Sequence, residues 1–226
     1  MAKAGKLIIM EAGDGSGKAT QTRELYEHLI RDGHRVHRIE FPDYGSDSSA
    51  LVRMYLNGNF GEHADDVNAY AASTFFAVDR YASYRMKWKK YYEAGDIILA
   101  DRYTTSNMVH QAVKITDSAE RDAFLQWLWE FEFCKLGLPV PDLVLFLDMA
   151  PAVSERLIAM RAMEKGGTRD IHEKDQAYLR RCHEAYELLA GRYGWQRIAC
   201  SACGEPRAVA DIHQDVYNVV CNYIHG

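Results

Sequence analysis

The chain has 226 residues, of which 48% are hydrophobic and 26% are charged, values that are ordinary for a globular protein and do not indicate disorder. Its formal net charge of -5 argues against a nucleic-acid partner. The first apolar run, residues 7–10, is too short for a signal peptide or a membrane span, and the five cysteines form no paired framework. We therefore expect a cytoplasmic protein with no membrane partner.

The first predicted element is an apolar run followed by a glycine-rich turn, LIIMEAGDGSGKAT, at residues 7–20. Gly13, Gly15 and Gly17 permit backbone angles that other residues resist, so successive N–H groups can turn toward phosphate oxygens. The helix expected after Gly17 adds its positive dipole end, and Lys18 adds a full positive charge. This order is that of a P-loop, and it predicts a bound nucleoside triphosphate.

The loop departs from the pattern GxxxxGK[ST] at both ends. Ala12 replaces the first glycine, and Ala19 replaces the hydroxyl residue that usually contacts magnesium. Thr20 lies one residue later, about 100° around a helix axis, so it does not simply take over that contact. On the motif alone, an ordinary glycine-rich turn between strand and helix stays open as an alternative.

Further along the chain, predicted strands alternate with predicted helices. The strands are expected at residues 35–41, 96–100, 142–147 and 196–199, and the helices at 17–32, 64–93, 119–136, 153–163, 172–192 and 207–223. This alternation predicts an α/β fold of the P-loop NTPase type, with three layers: a central parallel sheet of about five strands and helices on both faces. Because no repeat or linker is evident, we expect a single domain over residues 1–226.

An acidic and a basic residue, Asp101 and Arg102, directly follow the buried strand at 96–100. Ligands of parallel sheets lie at the carboxyl ends of the strands. Asp101 is therefore a candidate for the magnesium shell, and the guanidinium of Arg102 can bind a phosphate with two parallel hydrogen bonds. The alternative is an Asp–Arg pair that only solvates the edge of the sheet.

The long aromatic helix carries Phe76 and Arg80 one turn apart, so both side chains project from one face. An aromatic ring and an arginine on one face suit a nucleobase, through stacking and through hydrogen bonds to its edge. An aromatic stripe that only packs in the core is the alternative.

Two further segments have ambiguous patterns. Residues 161–174, RAMEKGGTRDIHEK, combine two glycines with several cations, which suits either a mobile loop that closes over phosphates or a plain solvated connection. Cys200 and Cys203 form a CxxC pair without recognisable spacing to further metal ligands, so we interpret them as surface thiols that follow a strand.

Together these segments resemble the thymidylate kinases, a family of P-loop nucleoside monophosphate kinases. Six segments occur in the family's order: EAGDGSGKATQ, FPDYG, FFAVDR, DRYTTSNMVHQ, PDLVLFLD, and a basic loop leading into DIHEKDQAYL. The resemblance runs through almost the whole chain. It implies transfer of the γ-phosphate of ATP to dTMP, giving dTDP, with Mg²⁺ as cofactor, and it also implies a homodimer.

The resemblance implies three groups of site residues. The ATP-binding group is Gly13, Gly15, Ser16, Gly17, Lys18, Ala19 and Thr20. The catalytic group is Lys18, Asp101, Arg102, Arg161 and Arg169, of which Asp101 also organises the magnesium. The dTMP-binding group is Asp14, Tyr44, Arg53, Phe76, Arg80, Arg102, Asn107 and His110.

Within the dTMP-binding group, the resemblance implies individual roles. Asp14 would bond the 3′-hydroxyl of the sugar, Arg102 would clamp the phosphate, and His110 would crowd the 2′ position. Phe76 would stack on thymine while Arg80 reaches its carbonyl edge. A lid segment at about 161–172 would supply a further cation to the transferred group.

Three rival interpretations remain at this point. One is a related deoxynucleoside or nucleotide kinase, although Arg102 after Asp101 favours a monophosphate acceptor. Another is a non-catalytic nucleotide-binding protein, in which Ala12 and Ala19 mark loss of the active site. A motor or switch ATPase is the third, and it would not need a base-stacking helix.

Overall fold

A computed structural model describes residues 4–165 and 176–226; the side chains of 161–165 and 176 are not described. Five strands form the central sheet: β1 Lys6–Ala12, β2 Val36–Glu40, β3 Ile97–Asp101, β4 Leu143–Asp148 and β5 Gln196–Ala199. The sheet is wholly parallel and has the order β2-β3-β1-β4-β5. These findings confirm the predicted α/β fold and the number of strands.

Nine α-helices surround the sheet in the described part of the chain. They are α1 Lys18–Arg31, α2 Ala50–Leu56, α3 Ala69–Ser83, α4 Lys89–Glu93, α5 Thr104–His110, α6 Ser118–Trp129, α7 Pro151–Lys165, α8 Gln176–Tyr193 and α9 Val209–His225. Two π-helical segments, Tyr84–Trp88 and Glu130–Lys135, continue α3 and α6, and a small antiparallel hairpin joins β6 Ser201–Ala202 to β7 Glu205–Pro206. None of these described helices combines the length and apolar character needed to cross a membrane.

The two faces of the sheet support separate hydrophobic cores, as the alternation of side chains along a strand requires. In β1, Leu7 and Ile9 pack into one core with residues of α5, α6 and α8, whereas Ile8 and Met10 pack into the other with residues of α1, α7 and α9. All four side chains are fully buried. Burial on both faces explains why β1, β3 and β4 read as apolar runs in the sequence, whereas the partly exposed β2 and β5 do not.

Several predicted boundaries were wrong. The helix expected from residue 64 begins at Ala69, because Asn68 caps it by accepting a hydrogen bond from the backbone N–H of Ala71; a short 3₁₀ turn, Ala64–Asp66, precedes it. Helices α2 and α5 were not predicted at all. The start of the helix expected at 172 lies outside the described residues.

The parallel register brings the predicted chemistry to one edge of the sheet. Met10 in β1 lies opposite Asp101 in β3, and Ala12 lies opposite Leu147 in β4. The P-loop, the segment after β2 and the residues after β3 therefore leave the sheet side by side.

Candidate functional site

The glycine-rich loop connects β1 to α1 and packs against α7. Gly15 and Gly17 have φ values of 75° and 83°, in the left-handed region that favours glycine. A Cβ atom on Gly15 would lie 2.9 Å from Ser154 Oγ and 3.0 Å from Ser154 O. Ser154 Oγ in turn donates a hydrogen bond to the carbonyl oxygen of Asp14. Glycine at position 15 therefore lets the loop pack closely against α7 at the start of α1.

The substituted positions of the loop differ in their surroundings. Ala12 is buried at the end of β1, and the only described non-glycine residues with positive φ are Arg102 and Cys203, so its methyl group requires no strained backbone. Ala19 is exposed in the first turn of α1, beside the partly buried Thr20.

Lys18 lies at the N-terminus of α1 and forms an ion pair with Asp101, the last residue of β3. Burial, followed by the positive charge of Arg102, lowers the pKa of Lys18 to about 7, while the carboxylates of Glu11 and Asp14 raise it. The ion pair therefore connects the glycine-rich loop to the carboxyl end of the neighbouring strand β3.

Arg102 extends from that strand end into the space between the loop and α8. Its φ of 66° is a left-handed conformation, which is strained for an arginine and typical of functional sites. Its Nη2 donates to Asp14 Oδ1 at 3.0 Å, and its Nη1 lies 3.3 Å from Ser106 Oγ, 3.4 Å from His110 Nε2 and 3.4 Å from Tyr186 OH. Arg102 thus connects the P-loop to α5 and α8.

A fully buried carboxylate, Glu11, lies beneath this region. Its oxygens accept hydrogen bonds from Thr105 Oγ1 at 2.6 Å, Ser106 Oγ at 2.8 Å, Tyr186 OH at 3.0 Å and the backbone N–H of Tyr103 at 3.3 Å. Four donors compensate for the burial of its charge. Glu11 therefore fixes the segment that directly follows Arg102.

A cavity of ≈ 200 Å³ opens beside Arg102. It is bounded by the segment after β2, by α3 and by α5. Its lining residues are Asp14, Phe41, Pro42, Tyr44, Leu56, Phe76, Arg80, Arg102, Tyr103, Ser106, Asn107, His110 and Gln111. Seven of the eight residues predicted to bind dTMP line this one cavity.

Three residues of the cavity lining, Phe76, Arg80 and Asn107, combine an aromatic ring with polar side chains. Arg80 is almost fully buried and is held by Glu132 through Nε at 2.7 Å and Nη2 at 2.5 Å. Asn107 Nδ2 donates to the carbonyl oxygen of Ser73 at 3.4 Å. An aromatic ring and polar groups therefore line the same cavity, which suits a planar heterocycle with a polar edge.

Arg53 is the predicted dTMP-binding residue that does not line the cavity. Its Nη1 donates to the carbonyl oxygens of Tyr44 and Ser46 at 3.1 and 3.0 Å, and to Ser49 Oγ at 2.6 Å. It therefore stabilises the turn after β2 that carries Tyr44. The buried carboxylate of Asp79 holds the same turn.

Individual roles for Glu11, Gln111, Glu132 and Tyr186 were not predicted from the sequence. Glu11 and Gln111 stand at the ends of two recognised segments, EAGDGSGKATQ and DRYTTSNMVHQ, which was the available signal. Gln111 is almost fully buried against the cavity, and its Oε1 has no protein partner. For Glu132 and Tyr186 no local motif gave a signal.

The predicted lid cations are not described. Arg161 belongs to α7, but its side chain is not described, and Arg169 lies outside the described residues.

Two other clusters lie away from the cavity. Asp148, His183 and Glu187 have spacing compatible with a metal ion, but Arg197 Nη2 lies 2.6 Å from both carboxylates and already supplies the positive charge. The expectation of surface thiols was wrong for Cys200, which is buried in the core after β5, whereas Cys203 is exposed in the β6–β7 turn.

Comparison with known proteins agrees with this geometry. The family model described as Thymidylate kinase matches residues 10–206. A thymidylate kinase of Mycobacterium tuberculosis is 32% identical over 207 residues, covering 90% of this chain and 95% of that protein. The Homo sapiens thymidylate kinase is 32% identical over 220 residues, covering 95% of this chain and 89% of that protein.

Proposed function

The chain belongs to the thymidylate kinase family and is a nucleoside monophosphate kinase that phosphorylates dTMP with ATP; we propose that the phosphate is transferred beside Arg102, where the P-loop meets the ≈ 200 Å³ cavity. The observation that carries this assignment is the position of Arg102, which contacts Asp14 of the loop and lines the cavity. A guanidinium at this junction can hold an acceptor phosphate beside the γ-phosphate of ATP.

We assign the part of the cavity lined by Phe76, Arg80 and Asn107 to thymine, and its mouth, the part beside Arg102 and His110, to the sugar and phosphate. Phe76 stacks on the base, while Arg80, Asn107 and Gln111 contact its polar edge. His110, beside Arg102, occupies the sugar region. This arrangement selects a nucleoside monophosphate, because the base and the phosphate both need their own partners.

We assign the donor site to the loop residues Gly13, Gly15, Ser16 and Gly17 with Lys18, and to Ala19 and Thr20 in the first turn of α1. Backbone N–H groups at a helix start and the Lys18 ammonium stabilise phosphate charge. The attacking group is an oxygen of the dTMP phosphate, which is already anionic at neutral pH. Catalysis therefore consists chiefly of alignment and charge neutralisation, rather than proton abstraction.

The residues present are compatible with Mg²⁺, the cofactor that we propose. Mg²⁺ prefers oxygen ligands and keeps several waters, and the site offers the carboxylate of Asp14, in the loop, and that of Asp101, which pairs with Lys18 at the end of β3. When bound, the ion would neutralise phosphate charge. Since Ala19 offers no hydroxyl, the carboxylates, water and the nucleotide itself would hold it.

We further propose that residues 1–226 form one domain, with a lid at about 161–172 that supplies Arg161 or Arg169. Helix α7 leads into this segment from the P-loop, where Ser154 contacts Asp14. A cation delivered by closure would balance charge in the transition state and exclude water. Of the two arginines, Arg161 lies closer in sequence to that anchor.

A homodimer is supported by exposed apolar side chains. Leu51 and Met54 share a face of α2, and Val78 and Tyr81 share a face of α3; all four are exposed by 39–50%. Such spacing is typical of a surface covered by a partner. Light scattering should give the mass of a dimer, and Val78→Asp should shift the measured mass toward that of the monomer.

We also propose a cytoplasmic location for the protein. All five cysteines are free, which suits the reducing environment of the cytoplasm.

The activity is tested by ADP release with ATP and Mg²⁺, comparing dTMP with dUMP, dCMP, dGMP, AMP and thymidine. We expect strong release with dTMP and little with thymidine, which lacks the phosphate that Arg102 binds. Asp101→Asn should abolish most of the release. ATP binding without ADP release for any acceptor would instead identify a nucleotide-binding protein with a lost active site.

A further inference from the structure

The base end of the acceptor cavity, which is lined by Phe76, Arg80 and Asn107, is supported by a buried ion pair between Arg80 and Glu132 whose hydrogen bonds fix the orientation of the guanidinium. Arg80 and Glu132 are exposed by 1% and 0%. The carboxylate of Glu132 takes the Nε and Nη2 edge of the guanidinium at 2.7 and 2.5 Å. The Nη1 group remains, with only a long contact of 3.5 Å to the carbonyl oxygen of Tyr103. Arg80 lines the cavity, whereas Glu132 does not.

Glu132 also joins the two helices that carry the base-contacting side chains. Its Oε2 accepts a hydrogen bond of 2.7 Å from Thr104 Oγ1 at the start of α5, and Arg80 belongs to α3. The carboxylate itself comes from the π-helical segment after α6, where the N–H of Leu136 bonds the carbonyl of Phe131. Such π-helical turns occur frequently at functional sites.

From this geometry we propose that Glu132 is a positioning residue that sets base specificity. A guanidinium has five N–H groups and no acceptor, and Glu132 takes two of them on one edge. Glu132 thereby fixes the direction in which the remaining N–H donors of Arg80 face the base. They match the 4-carbonyl oxygen of thymine and leave the 4-amino group of cytosine unpaired. The inference rests on the proposed function, since it concerns the acceptor of that reaction.

The charge of Glu132 has a second consequence. It neutralises Arg80 locally, so the base end of the cavity carries no net positive charge, while Arg102 at the mouth attracts the phosphate. This difference orients the acceptor, because a phosphate gains nothing at the neutral end. A site that pairs with a specific polar edge rejects ligands lacking it by large factors, about 10⁴ in favourable cases.

The test is Glu132→Gln, whose amide has one acceptor oxygen and an NH₂ donor group, so it cannot accept from Nε and Nη2 of Arg80 through two separate oxygens. We expect the KM for dTMP to rise at least about tenfold and the ratio of kcat/KM for dTMP over dCMP to fall at least about tenfold, because one misplaced hydrogen bond to a charged group accounts for that much. The kcat with dTMP and the KM for ATP should stay within about threefold.

The matched control is Glu130→Gln, two residues earlier on the same segment, where the side chain is exposed and bonded to Gln126. It should behave like the wild type. Breaking a buried pair also destabilises the fold, so Glu132→Asp, which keeps the charge on a shorter arm, is measured as well. If Glu132→Gln does not fold, partial loss of the dTMP/dCMP ratio in Glu132→Asp supports the inference.

Wild-type selectivity in a folded Glu132→Gln would overturn the inference, as would wild-type selectivity in Glu132→Asp if Glu132→Gln does not fold. A parallel loss of kcat and of ATP affinity at unchanged selectivity would also overturn it, since that result indicates general damage. Stabilisation of the protein by dTMP against dCMP in thermal unfolding gives the same comparison without turnover. Failure of the wild type to release ADP would therefore contradict the proposed function while leaving this binding test valid.

Discussion

Replacement of Glu11 by glutamine should damage both stability and catalysis, because the carboxylate is a buried acceptor for donors from α5, from α8 and from the segment between β3 and α5. Glu11→Gln preserves shape but converts one acceptor oxygen into an NH₂ donor. If Oε2 is the atom replaced, the new donor faces Ser106 Oγ and Tyr186 OH, which now lie at 2.8 and 3.0 Å. The two hydroxyls can still accept from this NH₂, but hydrogen bonds to a charged group become bonds to a neutral one, which costs about 1 kcal/mol for each of the two and about 1 kcal/mol in total for the bonds at Oε1.

The expected destabilisation is therefore about 3 kcal/mol, or a fall in Tm of about 6–12 °C for a chain of this size. The N–H of Tyr103, which follows the strained Arg102, also bonds Glu11. Loosening it should let Arg102 relax, so we expect the KM for dTMP to rise at least about tenfold, equivalent to about 1.4 kcal/mol. Calorimetry and steady-state kinetics measure the two effects separately.

The pH dependence gives a third readout of the same substitution. The Glu11 carboxylate raises the pKa of Lys18, so its removal should lower that pKa. Lys18 must carry its charge to bind phosphate, and activity is lost as the pH rises through its pKa. The alkaline limb of kcat/KM should therefore move to lower pH in Glu11→Gln.

Glu40→Gln separates the charge effect from the packing effect. Glu40 is exposed at the end of β2, and its carboxylate also raises the pKa of Lys18. We expect this control to shift the alkaline limb slightly while leaving the Tm and the KM for dTMP unchanged. A Glu11→Gln variant with wild-type Tm and wild-type KM for dTMP would refute the role given to Glu11.

Two further outcomes follow from the site and from the surface. Gly15→Ala should lower the Tm by several degrees, because the φ of Gly15 is +75° and the new methyl group would lie 2.9 Å from Ser154 Oγ, a strain of about 1–3 kcal/mol. The control Gly13→Ala has open space around the new methyl group and should keep the wild-type Tm. Equal Tm values for the two variants in calorimetry would contradict the strain assigned to Gly15. At the α1–α9 contact, burial and then His28, 3.0 Å away, lower the pKa of His213. The stabilising effect of neutral His213 is thus complete above the unfolded-state pKa of about 6.5 and is lost as the pH falls. The Tm of His213→Gln should therefore fall less between about pH 7.5 and 5.5 than that of the wild type. An unchanged slope of Tm against pH would contradict this role of His213.

The sequence predicted β1, β3 and β4 well because these strands are buried on both faces and read as short apolar runs. Strands β3 and β4 lie within one residue of their predicted positions, and β1 extends beyond the apolar run at 7–10, whereas β2 and β5 are partly exposed and carry polar side chains. Helix α5 was missed for a related reason. Thr104 to Val109 are all buried, so this helix has no exposed polar face and no periodic pattern to recognise.

The supporting residues were not predictable because their partners are distant in the chain. Glu11 bonds Tyr186, 175 residues away, and Glu132 bonds Arg80, 52 residues away. A single sequence shows a buried acid only as an isolated carboxylate in an apolar context. Residues that contact ligands occur in recognisable motifs, whereas those that orient them acquire partners only in the folded structure.

The absent hydroxyl at position 19 leads to a last prediction, which distinguishes two ways of holding Mg²⁺. If carboxylates, water and phosphates hold the ion, Ala19→Ser adds a ligand and should lower the half-saturating Mg²⁺ concentration about fivefold, as expected for about 1 kcal/mol. The substitution is tolerated, since Ala19 is exposed and serine costs at most about 0.5 kcal/mol in a helix. Thr20→Ala should then leave the Mg²⁺ requirement unchanged. The reverse result, no effect at Ala19 and a raised requirement in Thr20→Ala, would show that Thr20 has replaced the lost hydroxyl despite its different direction on α1.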